Sequence, residues 1–180
     1  MPTPQSVFDM ELERTEFSDD SYAMIGRALT YAQKFEGDCL GLNTLWTLKP
    51  KVKAGELSLD DDEAMAAFVM KVRREALACH LQQLVEYTEE TSFRGAFDKA
   101  RDSRNHIAHE LCLGIQYEIE TDRGRERLVK ELEEAIRNIS EAHLIVLILM
   151  AGEHQEPLPT RHYLASYADR VVEWACSTED

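Results

Sequence analysis

Apolar residues in this chain recur at steps of three and four, in long stretches separated by short polar connections. Tyr22, Ile25, Leu29, Ala32 and Phe35 set the pattern, and Leu42, Leu45 and Trp46 continue it. That period fits a helix with one buried face and does not fit a strand. It predicts a first helix from about Asp20 to Leu48, capped by Asp19 or Asp20, bent at Gly37 and Gly41, and ended by Pro50. A linker through Gly55 leads to the acidic cluster Asp60–Glu63. Those charges suit the positive end of a helix dipole and mark a second helix running to about Tyr87. Its expected buried face is Met65, Phe68, Val69, Val72, Ala76, Cys79 and Val85. A third helix runs from Thr91 or Ser92 to a stop at Gly114, and the alternation Ile115, Tyr117, Ile119 makes Ile115–Gly124 read as extended. A fourth covers about Arg125 to Met150, broken by Gly152 and Pro157–Pro159. Thr160 then caps a fifth, amphipathic helix through Tyr163, Tyr167, Val171 and Trp174. The expected fold class is all-α: an acidic arm over 1–19, a four-helix bundle over 20–152, and an additional C-terminal helix within 153–180 packed on it.

Charge and motif content narrow the function. The chain has 20 Lys and Arg against 34 Asp and Glu, a net of −14. That balance opposes a broad nucleic-acid surface but leaves room for a small basic pocket. Met1 is followed by no basic segment and apolar core of the secretory kind, and the longest apolar run, Leu144–Ala151, is too short to span a bilayer. A cytoplasmic protein with no membrane partner is expected. Cys39, Cys79, Cys112 and Cys176 form no C-x-x-C pair and read as reduced thiols. No Gly-rich phosphate loop, HExxH or Glu-x-x-His occurs. His106, His109 and Cys112 fall at three-residue steps but lack a fourth zinc ligand, so neither metal nor other cofactor is expected. His80 reads as a packing residue, and His143 as a satisfied core or interface histidine.

The informative stretch is Ser92–Gly114. Its apolar face is Phe93, Phe97, Ala100, Ile107 and Leu111, and the position that should continue it between Ala100 and Ile107 holds Arg104. A guanidinium does not shed its charge, so one placed on an apolar seam is costly unless it is paired or needed. Asn105 follows it directly, and His109 comes five residues after the Arg. Given 13 Arg and 6 His in 180 positions, the Arg–His spacing arises by chance about 0.4 times. Requiring Asn after the Arg lowers that to about 0.007.

The run R-N-H-I-A-H resembles the R-polar-x-x-x-H motif of the HEPN (higher eukaryotes and prokaryotes nucleotide-binding) superfamily. The likeness is close over about 23 residues and architectural elsewhere. Members are all-α bundles, and many are metal-independent endoribonucleases, some in defence or toxin–antitoxin systems. The resemblance implies that Arg104 clamps the phosphate, that His109 serves as acid or base, and that Asn105 orients one of them. Arg101, His106 and Lys99 would then contact substrate RNA. One motif His per chain implies a homodimer that brings two motifs together. Glu36 or Asp38 of the first helix would stand beside the Arg. Leu111 occupies the place of the Tyr found in the branch silenced by nucleotidylation, which points away from that regulation and leaves a regulatory protein partner open. On an ideal helix Arg104 and His109 lie about 140° apart, so a kink is expected, with Asp102–Ser103 the break and Ser103 recapping the chain. The alternative is a non-catalytic HEPN-like helical module that binds nucleotide, RNA or a protein partner. In it Arg104 pairs internally and His109 sits alone on the surface.

Overall fold

The computed structural model describes residues 16–111 and 121–177, and no strand occurs among them. Its helices are α1 (Glu16–Lys53), α2 (Asp62–Arg73), α3 (Leu77–Thr88), α4 (Arg94–Asn105), α5 (Asp122–His154), α6 (Arg161–Ala165) and α7 (Tyr167–Cys176). A short 3₁₀ turn at Thr91–Phe93 precedes α4, and a π-turn at His106–Glu110 follows it. The fold class is all-α. Residues 1–15 of the expected arm, Cys112, the Gly114 stop and residues 115–120 lie outside the described residues.

Helices α1 and α5 form the centre and run in the same direction. Asp20 meets Arg125 at 2.9 Å, Asp38 meets His143 at 2.7 Å, and Trp46 meets Glu153 at 2.5 Å. The sequence separations are nearly constant at 105, 105 and 107. Parallel neighbours leave both helix dipoles pointing one way; α3 also runs with α1, Asn43 meeting His80 and Thr47 meeting Tyr87, while α4 and α7 oppose them. Along α4 and its π-turn, Ser103 meets Asn138 and His106 meets Glu131, so this element descends against α5. Helix α7 descends likewise: Tyr31 meets Tyr167, and Arg27 donates to the carbonyls of Ala175 and Ser177 at 3.1 and 2.6 Å. Phe35, Leu42, Leu84, Phe97, Ile107, Leu132, Ile136 and Val146 fill the space between these helices.

Several element boundaries differ from the sequence expectation, each for a local reason. Helix α1 begins inside the expected arm and runs past Pro50 to Lys53. Pro50 forfeits one backbone bond, but its carbonyl still accepts from the Ala54 N–H at 2.9 Å. The helix stops at Gly55, whose φ of +72° permits a Schellman closure with the Glu56 N–H on the Lys51 carbonyl. The expected second helix is two. Asp61 caps α2 through the Ala64 N–H, and the chain then breaks between Arg73 and Leu77. The break resets the phase of the buried face: Leu77, His80, Leu81, Leu84 and Val85 turn inward, while Val69, Ala76 and Cys79 are exposed. Helix α5 starts earlier than expected because Thr121 caps it through the Gly124 N–H, so 122–124 are helical rather than extended. It passes Gly152 and ends at Gln155, which takes a left-handed φ of 56°. The fifth expected helix is split at Ser166, whose hydroxyl donates to the His162 carbonyl. The split aims Tyr167, Val172 and Ala175 inward and leaves Tyr163 and Trp174 exposed. Helix α5 is long and apolar enough to cross a membrane by length and composition alone; in this bundle Ile136, Ile139, Ala142, His143 and Val146 of that helix are fully buried.

His143 is 0% exposed. Its Nε2–H donates to Asp38, which also accepts from Lys34 at 2.6 Å. Tyr167 donates to Nδ1 at 3.1 Å, and Tyr31 donates to the Tyr167 oxygen at 3.3 Å. Burial holds the imidazole below its ordinary 6.5, against the pull of Asp38. Burial pushes the Asp38 carboxyl up, but Lys34 and His143 outweigh it and hold it below its usual range. Both shifts have one sign for stability. The unfolded chain binds protons more readily than the folded one, so stability is full above the imidazole's ordinary 6.5 and falls as pH drops below it. Thermal melts taken from about pH 7.5 down to about pH 5 should show a falling midpoint, and His143→Gln should flatten that dependence. Tyr167→Phe should cost no more than about 1 kcal/mol in urea unfolding, because the Tyr31 hydroxyl, 3.0 Å from the same Nδ1, then donates in its place.

Candidate functional site

Arg104 sits at the seam of α1 and α4, where the apolar stripe of α4 reaches the surface. Phe97 and Ala100 precede it and Ile107 follows, all buried, while the Arg104 side chain keeps 23% exposure. Its stem covers the core edge and its head meets a carboxylate. Nε and Nη2 both donate to one Glu36 oxygen, at 3.1 and 2.6 Å, and Nη1 donates to Asn105 Oδ1 at 3.2 Å. The guanidinium is therefore held from two sides, by α1 and by its own helix. Of the two acidic residues expected near the Arg, Glu36 takes the place. Asp38, two residues on, points around α1 to His143.

The helix does not break at Asp102–Ser103. Ser103 is buried and its hydroxyl accepts from Asn138 at 3.1 Å, so it ties α4 to α5 instead of recapping the chain. The irregularity falls three residues later, in the π-turn, where the Leu111 N–H bonds the His106 carbonyl. A π-turn turns the chain through less than the usual angle per residue. That narrows the separation of about 140° that an ideal helix puts between Arg104 and His109. The turn keeps Ile107 and Leu111 both buried and leaves His109 exposed. Among the described residues no hydrogen bond or ion pair engages His109, and none joins it to Arg104.

The remaining expected site residues divide by face. Arg101 is half-buried and tethered to Asp98 at 3.3 Å and Asp102 at 2.8 Å; hydrogen bonding to Asp102 raises its already high pKa. Lys99 is exposed. His106 points away from the Arg104 seam: Nδ1 lies 2.9 Å from Glu110 and Nε2 lies 3.5 Å from Glu131 of α5. It belongs to a contact between helices and does not share the Arg104 pocket. Among the described residues no group of three or more His, Cys, Asp and Glu converges as a metal site, and Cys112 is not among them.

Sequence periodicity missed one polar group altogether. Asn43 is fully buried, and its amide donates to His80 Nδ1 at 3.0 Å and to Gln83. Burial holds His80 below the ordinary imidazole range. The partners Tyr31 and Tyr167 of His143 are equally hidden, since a helical repeat says nothing of which residue on another helix meets a His, 112 residues away in one case and 24 in the other.

Compared with family models, with curated proteins and with solved structures, the chain matches none.

The Arg104–Glu36 pair is partly exposed, so solvent screens it. Arg104→Ala should cost no more than about 1 kcal/mol in urea unfolding, as should Glu36→Gln. A double-mutant cycle should give a coupling of similar size.

Proposed function

We propose that the chain is a metal-independent endoribonuclease of the HEPN type, working as a homodimer whose two motifs supply one cleft. The observation that supports this reading most is the held guanidinium of Arg104, its fork oriented by Glu36 and Asn105 within the R-N-H-I-A-H motif. Cleaving RNA by its own 2′-OH needs a base for that proton, an acid for the departing 5′-oxygen and a cation on the phosphate. His109 of one protomer serves as base and that of its partner as acid, since an imidazole takes or gives a proton near neutrality. Arg104 stabilises charge on the phosphoryl oxygens with a fork already oriented, so little reorganisation remains at the moment of reaction. Glu36 fixes the fork through Nε and Nη2 and leaves donor capacity on Nη1 for the phosphate. A net charge of −14 suits a selective enzyme held in check, in a defence or toxin–antitoxin setting, better than a promiscuous one.

Two observations favour the second reading, a non-catalytic HEPN-like module: Arg104 is paired internally, and His109 stands exposed with no bond joining it to Arg104 among the described residues. Glu36 already neutralises the guanidinium, and a permanent internal pair needs no ligand.

The two readings separate in one assay. Purified protein incubated with single-stranded RNA in EDTA should cut it and leave a 2′,3′-cyclic phosphate, while DNA and 2′-O-methyl RNA resist. His109→Ala and Arg104→Ala should each lower the rate by about a hundredfold or more without unfolding the chain. Light scattering should give a dimer. Products with a 5′-phosphate, equal cutting of DNA, or activity untouched by His109→Ala would sink the mechanism.

A further inference from the structure

Helices α3 and α4 leave a cleft between them that the site above does not use. Its floor is Leu81 and Val85 of α3 with Phe97 of α4, all buried, and Ala78, Arg94 and Arg101 stand at its rim around a volume of about 290 Å³. That is the small end of the range for ligand pockets and suits one flat ring better than a folded cofactor. The small side chain of Ala78 keeps the mouth open. Arg94 is exposed, and among the described residues no carboxylate pairs with it. Arg101 is held still at the rim by Asp98 and Asp102. The carboxylates of Asp98 and Asp102 are both taken up by Arg101, so Arg94 is the guanidinium of the rim without a carboxylate partner among the described residues.

The cleft also has a direction. Arg94, Arg101 and Asn105 are seven and four residues apart on α4, so they share one face of the helix. Asn105 in turn holds Arg104 at 3.2 Å. Along the axis Arg101 stands about 6 Å, and Arg94 about 16 Å, from Asn105. An apolar floor for a ring, a free guanidinium beside it, and a second guanidinium on the way to the motif match a strand of linked nucleotides.

We propose that the α3–α4 cleft seats one nucleotide of the single-stranded RNA substrate, its base on Leu81, Val85 and Phe97 and its phosphate on Arg94, with Arg101 guiding the strand toward Arg104. This rests on the ribonuclease reading above. The cleft then sets affinity for long substrates and takes no part in the chemistry, because it lies too far along α4 to touch the scissile bond.

The test uses the full chain carrying His109→Ala and a fluorescein-labelled oligouridylate, read by anisotropy. Arg94→Glu should weaken binding by about tenfold or more, and so should Ala78→Trp, which plugs the mouth from the solvent side. Arg161→Glu on α6, an equal charge change outside the cleft lining, should shift it by less than about twofold. Circular dichroism checks that each variant keeps its helices. In the otherwise wild-type chain Arg94→Glu should raise KM for the long RNA with kcat unchanged, and leave cleavage of a dinucleotide as it was. Unchanged oligouridylate affinity in both cleft variants would overturn the proposal. So would uridine monophosphate competing as strongly as the oligonucleotide, which would make the cleft a free-nucleotide pocket. If the wild type cuts nothing while binding still depends on Arg94, the catalytic reading falls and the cleft stands. If it cuts, and both cleft variants are silent, the cleft falls alone.

Discussion

A fully buried imidazole at the crossing of three helices sets the arrangement of the others. His143 of α5 gives its Nε2 proton to Asp38 of α1 and receives at Nδ1 from Tyr167 of α7. An unpaired polar group at such a depth is costly, so this set of partners permits only one axial and rotational alignment of α1 against α5. That alignment is the constant offset seen again at Asp20–Arg125 and Trp46–Glu153. Two central helices running the same way require the chain to return between them. The stretch that returns along α5 is α4 with its π-turn, which carries the candidate site. The same histidine holds α7, whose end is secured by Arg27 on the last carbonyls.

The candidate site inherits its geometry from that alignment. Because α1 is fixed in rotation by Asp38, Glu36 is turned to the opposite flank, toward α4, where it meets Arg104. One helix thus spends two neighbouring acids on two different jobs. Asp38 is enclosed with a buried imidazole, and Glu36 stands at a half-open seam with a guanidinium. The difference in burial decides their energetics. The inner pair couples stability to pH through groups whose pKa values burial and charge displace. The outer pair is screened and contributes little to folding.

The π-turn sits where the apolar stripe and the motif share one stretch of chain. Ile107 and Leu111 must stay on the core side while the motif residues stay outside. The wider turn narrows the angle between Arg104 and His109 while Ile107 and Leu111 stay buried. Irregular turns of this kind cost hydrogen-bond geometry, and they tend to occur where function asks for a side chain at a particular angle.

The amino-acid sequence by itself determined that the chain is helical, roughly where its long helices lie, and that Arg104 is out of place on an apolar stripe. These are local properties, carried by a period of 3.6 residues and by capping chemistry at Asp61 and Thr160. The motif R-N-H-I-A-H was legible for the same reason, since its residues are neighbours on one element. What the tertiary structure decided is how the elements face one another. It chose Glu36 over Asp38 for Arg104, placed His106 against Glu131, and split the expected second helix so that Leu81 and Leu84, not Cys79, turn inward. It also assembled His143 with Tyr31 and Tyr167, and Asn43 with His80. None of these pairings has a signal in the period, because a repeat specifies which side of a helix is buried and leaves open what it is buried against. That choice is made by the cost of leaving a polar group without a partner, and only the packed bundle sets the distances on which the cost depends.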